Sequence, residues 1–467
     1  MPTPTTQDRG LRIACDRCYR LKERCVRASP TSSCGRCSRL DQSCLTIRSP
    51  RPNGRQRLHR GRSLSQKIPN QSRHIAAGSW LQKAQDLNVD EKQLLIFFLS
   101  DDQNLQFPVV SPRYQGAEKD AFSNALLDAW SPLKDAYLAY ASRSTPPSLD
   151  KNSPLRYLAA AMAALRTLPI TSPKDAELCL TLGFTLALSV YGAVGVGVSA
   201  ICRYCLNATQ PFLSPTTINP STSSRISVLV LLETMDCLVF RRTPTLCLQP
   251  HAPHGIDRHL GLCVPLLPYY HDICVISNSL ATTTDAAHVA LLHQQLEEIQ
   301  MCIEKWQPLE NHDQEAGFPH SFSGVEVLLL LAQARVYRLA ALLFIHRLRH
   351  RFGSQDSRAT TLSREIILEL SLTSRIENRS VSFVALPFIV AAVEVCGAAE
   401  REEVLRSVDM YVDQLTPIVQ KVTKTFLARV WHERDTHPNC SWFESVHKPC
   451  VLLDSIDATF AGHSFTI

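Results

Sequence analysis

From about residue 80 onward, apolar side chains recur at spacings of three and four, run after run, and polar stretches rich in proline, serine and threonine part the runs. That period predicts helix following helix, and no alternation of apolar and polar residues is sustained long enough to predict a strand. The polar breaks fall at residues 144–154, 207–224, 308–324 and 353–361. One helix start is fully marked: Ser172 as cap, Pro173 at the first helical position and Asp175 in the first turn. Residues 178–201 hold no charge over 24 positions, long enough to cross a bilayer. Thr181, Thr185, Ser189, Gly183, Gly192, Gly195 and Gly197 interrupt them, and one flank lacks basic residues; a buried helix or helical hairpin is the expectation. Residues 325–348, interrupted by Arg335 and Arg338, read as an amphipathic core helix.

The helical pattern opens with Trp80, Ala84, Leu87, Leu94 and Phe98. These align as a short coiled-coil seam, but Glu91 breaks it and fewer than three heptads are present. Acids between Asp86 and Asp102 also flank the apolar residues 94–99, as in some activation segments. The first helix of a large helical domain is the expectation.

Composition changes the picture little for the body of the chain. Of 467 residues, 45% are hydrophobic and 20% charged, which excludes wholesale disorder. Charge changes it more. Residues 1–75 carry 17 basic and 4 acidic side chains, a net of +13, whereas the remaining 392 carry 32 and 39, a net of −7. A polyanion-binding head on a slightly acidic body follows, with nucleic acid as the first partner to consider. The first ten residues have no apolar run, so a secretory leader is not expected. The sequons at Asn207 and Asn439 are therefore expected to stay unmodified.

Six of the 17 cysteines, Cys15, Cys18, Cys25, Cys34, Cys37 and Cys44, read C-x2-C-x6-C-x8-C-x2-C-x6-C. The unit C-x2-C-x6-C occurs twice, which implies two equivalent ligand arms. Zinc takes four tetrahedral thiolates, and a C-x2-C step sets two sulfurs on one ion. Six thiolates saturate two zinc ions only if two of them bridge, and symmetry nominates the first cysteine of each arm, Cys15 and Cys34. A knot of three disulfides would need an oxidising compartment and has no use for the basic residues between the cysteines. The other eleven cysteines are scattered through apolar runs as core thiols. Among them, Cys202 and Cys205 form a lone C-x2-C with no second pair nearby.

Residues 14–25, Ala-Cys-Asp-Arg-Cys-Tyr-Arg-Leu-Lys-Glu-Arg-Cys, together with the other three cysteines, resemble the DNA-binding module of fungal zinc binuclear cluster transcription factors. The resemblance covers about the first 45 residues. It implies two short helices around two Zn2+ ions, the first helix entering the major groove over a CGG triplet and Lys22 reading its guanines. Leu21 stands where the family often has a basic residue, so fewer phosphate contacts are expected, and Pro30 matches the family's turn proline. Charge alone points the same way: Arg17, Arg20, Lys22, Arg24 and Arg27 crowd one short helix and its exit, where some reach guanine edges and the rest neutralise phosphates. Arg51, Arg55 and Arg57 lie in a Pro- and Gly-punctuated basic segment that reads as an extended arm along DNA and as a nuclear import signal.

The body resembles, in short strings at residues 132–140, 336–344 and 385–392, the fungal-specific transcription factor domain that usually follows the cluster. That implies an all-α regulatory domain. No enzyme motif is present: Gly192, Gly195 and Gly197 do not make G-x-G-x-x-G, and P-loop and G-x-S-x-G patterns are missing. His251, His254, His259 and Asp257 cluster in sequence near Pro250 and Pro253, and read as loop residues in structural or solvent roles. The expected fold is thus a small metal-stabilised two-helix zinc cluster module (12–47), a basic flexible linker (48–78) and a large all-α domain (79–467). The expected protein is a nuclear, non-enzymatic activator-type regulator that binds double-stranded DNA, with secondary metabolism as the first pathway to consider. A nutritional or drug-response regulator whose helical domain senses a small molecule is the alternative. A second copy and the transcription machinery are the further partners the resemblance allows, and no membrane is expected.

Overall fold

A computed structural model describes residues 14–15, 17–18, 21, 25–26, 32–40, 42, 44–45, 80–100, 109–144, 153–213, 219–248, 256–308, 322–377, 381–412 and 416–437. The chain divides into two compact units, Met1–Ile68 and Pro69–Ile467. In the first unit the described helix is α1 (Gly35–Arg39). Among its described residues the buried apolar ones are cysteines: Cys15, Cys18, Cys34 and Cys37, with Cys25 and Cys44 packed against them.

The second unit is helical throughout its described residues, which hold no strand; the one β feature there is an isolated bridge between Asp257 and Gly261. Its first described residues form short helical turns at 80–83 and Ala84–Asp86, and α2 (Val89–Ser100) follows. Asn88 and Glu91 exchange hydrogen bonds, each accepting the other's N–H at 3.0 and 2.8 Å, so Glu91, the residue that breaks a coiled-coil seam, serves the helix start. Trp80, Ala84, Leu87, Leu94 and Phe98 are buried in the main core, as expected of the start of the domain, but not on one helix: Leu94 and Phe98 lie on α2, Ala84 in the 3-10 turn Ala84–Asp86 and Trp80 in the helical turn before it. Phe98 meets Phe122 of α3 (Gln115–Asp128) edge-on at 6.0 Å, and Tyr137 and Tyr140 of α4 (Trp130–Ala141) at 6.3 and 5.5 Å. After α5 (Ser153–Thr167), the uncharged run becomes a hairpin of α6 (Pro173–Ala193) and α7 (Val198–Thr209). Ser172 caps α6 by accepting from the Asp175 N–H. The turn uses Gly195 and Gly197 at φ +80° and +81°, a region that side chains with a Cβ rarely enter. Thr181, Thr185 and Ser189 each donate to the carbonyl four residues earlier, which satisfies their hydroxyls inside an apolar helix.

Helix α7 runs on to Thr209, and α8 (Pro220–Phe240) starts with Asn219 as its cap and Pro220 at the first position. The break expected at residues 207–224 is therefore narrower at both ends, because Asn219-Pro220 is itself a helix start. Next come α9 (Leu267–Thr282) and α10 (Ala286–Lys305). Helix α11 (Gly324–Arg349) carries a full capping box of Ser323 and Glu326. It is buried over most of its surface and keeps an outward stripe at Leu328, Leu331, Arg335 and Arg338. Its arginines are matched by neighbours: Arg335 pairs with Glu369 at 3.2 Å, and Arg338 donates to the Ile303 carbonyl at 2.9 Å. Helices α6 and α11 are both long and apolar enough to cross a membrane, but 78% of each apolar window is buried in the protein. The chain closes on α12 (Asp356–Glu377), α13 (Ala385–Val393), α14 (Ala398–Tyr411) and α15 (Pro417–Thr436). Helix α12 begins inside the break expected at 353–361, because the Asp356 carboxylate accepts from the Gly353 N–H and from Arg347.

Candidate metal centre

All six cysteines of the repeated pattern converge. Cys34 is the N-cap of α1, and its sulfur accepts from the Cys37 N–H at 3.4 Å; in the first arm the Cys15 sulfur accepts from the Cys18 N–H at 3.5 Å. Farther along each arm, the Cys25 sulfur accepts from the Cys15 N–H at 3.3 Å and the Cys44 sulfur from the Cys34 N–H at 3.2 Å. The second arm repeats the first contact for contact, so the doubled spacing in sequence is a pseudo-twofold arrangement in space. The arms cross symmetrically as well: Cys15 to Cys37 and Cys34 to Cys18 are both 3.7 Å between sulfurs, and Cys15 to Cys34 is 3.9 Å.

The sulfurs of Cys15, Cys18, Cys34 and Cys37 lie within 4.8 Å of one another, close enough to bind a metal ion. Four thiolates at about 2.3 Å from zinc stand about 3.8 Å apart along the edges of a tetrahedron, and the sulfur separations match that edge. The donor set suits zinc in chemistry too, being all sulfur with no oxygen among its members.

The close packing of thiols and N–H groups shifts the cysteines in both directions. Burial works against ionisation of Cys15, but the Cys18 N–H and the thiols of Cys18, Cys37 and Cys44 outweigh it and bring its thiol down to about 7. For Cys34 the Cys37 N–H is the largest influence, and with the thiols of Cys37, Cys18 and Cys25 it lowers the group to about 6. Their neighbours move the other way. The Cys15 thiol and burial push Cys18 up, burial and the Cys34 thiol raise Cys37 to about 12, and burial raises Cys25. Each of the three sulfur–sulfur contacts involves Cys15 or Cys34.

Of the basic residues expected on DNA, Arg17 is described and half-buried. Arg20, Lys22, Arg24, Arg27, Arg51, Arg55 and Arg57 lie outside the described residues, as do Pro30, His251 and His254. Leu21 is described and exposed, its N–H bonded to the Arg17 carbonyl at 3.1 Å. On the second arm α1 ends in two further basic residues, Arg36 and Arg39.

In the large unit Cys202 and Cys205 are buried core thiols, and Cys205 is held well above its ordinary range by the neighbouring Cys179 thiol and by burial. His259 is buried rather than exposed on its loop. It lies 3.7 Å from the buried Glu118 carboxylate, which also accepts from Arg258 at 2.8 Å and stands 3.8 Å from Arg225. Asp257 accepts from the His259 and Leu260 N–H groups and from the Ser224 hydroxyl. This internal network joins α3, α8 and the 256–263 turn. Sequence reading missed it, because its members are 140 residues apart in the case of Glu118 and Arg258.

Residues 155–453 match the family model described as the fungal specific transcription factor domain, which is more than half of the chain. No curated protein and no solved structure matches it.

Proposed function

The chain belongs to the fungal specific transcription factor family, and from that premise we propose that it is a zinc-dependent, sequence-specific DNA-binding regulator of RNA polymerase II promoters. The observation that carries the reading is the pseudo-twofold set of six sulfurs at the head of the chain. Each of two Zn2+ ions takes Cys15 and Cys34 as shared ligands. Cys18 and Cys25 complete one site, and Cys37 and Cys44 the other. The ions supply fixed tetrahedral geometry, and with it the rigidity that a unit with sulfurs for a core otherwise lacks.

On that frame Arg17, Arg20, Lys22, Arg24 and Arg27 present the basic face of the first arm to the major groove. Lys22 takes the guanine edges of a CGG-type triplet. Arg51, Arg55 and Arg57 hold phosphates from the segment that follows. The working organisation is a cluster module at 12–47, a basic linker at 48–78 and the regulatory domain at 79–467. Activity belongs in the nucleus, and a secondary-metabolite gene cluster is the first target to test.

The test is selection of bound sequences from random DNA with the full-length protein, alongside elemental analysis. Enrichment of CGG triplets together with two zinc ions per chain is the expected result. One zinc per chain, or selection that survives complete metal removal, would refute the shared-ligand cluster. Absence of any enriched sequence would refute direct DNA reading.

A further inference from the structure

The large unit holds one more convergence of metal-ligating groups among its described residues: the Cys247 sulfur, the His271 imidazole and an Asp272 carboxylate oxygen all lie within 4.8 Å of one another. His271 and Asp272 are neighbours on α9, and Cys247 arrives from the irregular segment after α8. That approach is built by tertiary contacts. Arg241 leaves α8 in the left-handed region at φ +53°, and its Nε donates to the Ser277 carbonyl and hydroxyl of α9, both at 3.1 Å. Asn278 of α9 donates back to the Arg241 carbonyl at 2.7 Å. Four residues on, the Thr245 N–H and hydroxyl both donate to the buried Glu233 carboxylate, which Arg203 of α7 also engages at 3.2 Å. Leu246 and Leu248, on either side of Cys247, pack against the hydrophobic core. The segment is thus tied at Arg241, at Thr245 and on both flanks of the cysteine, which places the thiol beside α9.

We propose that Cys247, His271 and Asp272 form a second metal site, a sulfur–nitrogen–oxygen set for a divalent ion of the zinc class with its fourth position open to water. The donors select the ion. Hard cations such as Ca2+ and Mg2+ want oxygen only, whereas one thiolate and one imidazole suit zinc and its borderline neighbours. The distances fit: His271 Nδ1 and Asp272 Oδ1 are 3.1 Å apart, near the edge of about 3.3 Å expected for tetrahedral bonds of about 2.0–2.1 Å. The charges fit as well, since a thiolate and a carboxylate together neutralise a dication. Access is open, because the Asp272 side chain is 52% exposed while His271 is 18% exposed. Three ligands and a water hold an ion less firmly than four thiolates do. Occupancy of this site, which staples the 241–248 segment to α9, therefore follows the available metal and makes the regulatory domain responsive to it.

The test uses full-length protein whose high-affinity sites are filled with zinc, titrated with cobalt(II) and followed by thiolate-to-cobalt absorbance. The difference between wild type and Cys247→Ser isolates this site whatever the six-cysteine module holds, so the outcome does not depend on the proposed cluster. One further equivalent of bound cobalt in the wild type, lost in Cys247→Ser and weakened in His271→Ala, is the expected result. A matching rise in melting temperature with added zinc should appear in the wild type, vanish in Cys247→Ser and shrink in His271→Ala. Helical circular dichroism checks that the variants fold, and His271→Ala decides if Cys247→Ser does not. Identical cobalt spectra in wild type and the folded variant would overturn the site. In that case the 3.1 Å contact is a hydrogen bond and nothing more.

Discussion

Arg347 and Glu394 are both buried, and two hydrogen bonds of 2.8 and 2.6 Å join guanidinium to carboxylate, with Asp356 accepting at 2.8 Å. Such a pair adds little over a well-packed apolar contact, but removing one partner strands the other's charge in a medium of low dielectric. Arg347→Met should therefore cost about 3–5 kcal/mol, read from the urea midpoint, and Arg347→Met with Glu394→Leu should recover most of it. Its neighbour His346 is buried among cations: burial first, then Arg347, His350 and Arg358, lower its imidazole to about 4. The unfolded chain binds that proton near pH 6.5 and the folded one does not, so stability falls as pH drops from 6.5 toward 4. His346→Gln should flatten that slope, measured as urea midpoints at pH 7 and pH 5. On the DNA side, Lys22→Ala should lose about 1–3 kcal/mol on the best site and less on scrambled DNA. Arg57→Ala should weaken both alike and reduce the salt slope by about one contact. Equal losses on the two DNAs for Lys22→Ala would remove its reading role.

Helices α6 and α7 can lie as closely as they do because residue 183 has no side chain. A Cβ built on Gly183 would sit 2.2 Å from the Cys205 sulfur, well inside contact distance. Gly183→Ala should destabilise the large unit by about 1–3 kcal/mol, as overpacking does. Cys205→Ala in the same chain should relieve much of the loss, since the clash is with the sulfur itself; a double-mutant cycle by thermal or urea unfolding checks it. At this scale the sequence was legible wherever a local signal was strong. Ser172-Pro173 named the start of α6, and the hairpin was readable from an uncharged run that carries glycines. The charges within the apolar run 325–348 were legible too. Arg335 and Arg338 mark the outward stripe of α11, where Arg335 is exposed beside Glu369 of α12 and Arg338 reaches the Ile303 carbonyl of α10.

The two compact units differ in what holds them. The first has cysteine sulfurs for a core, whereas the second buries a continuous apolar cluster from Trp80 to Trp431. On the proposed function, a strong chelator should therefore abolish DNA binding and disperse the gathered cysteines while leaving most of the helical circular dichroism intact. Concerted loss of the whole helical signal on chelation would contradict this. Cys15→Ser and Cys34→Ser should be more damaging to DNA binding than Cys25→Ser or Cys44→Ser, because in the proposed cluster a shared ligand would serve both ions.

What the sequence by itself determined is what depends on near neighbours along the chain. The doubled C-x2-C-x6-C spacing pointed to cysteines that the structure gathers, Cys15, Cys18, Cys34 and Cys37 within metal-binding reach and Cys25 and Cys44 packed against them, since two copies of one local geometry fold alike. Apolar period determined the all-helical body for the same reason. Tertiary structure alone decided the rest. It brought Glu118 to Arg225, Arg258 and His259, matched Arg347 with Glu394, and set Cys247 beside His271 and Asp272. Each of these joins elements far apart in sequence. Burial makes a polar group find a partner, but which partner it finds depends on how the helices pack, and no local pattern records that.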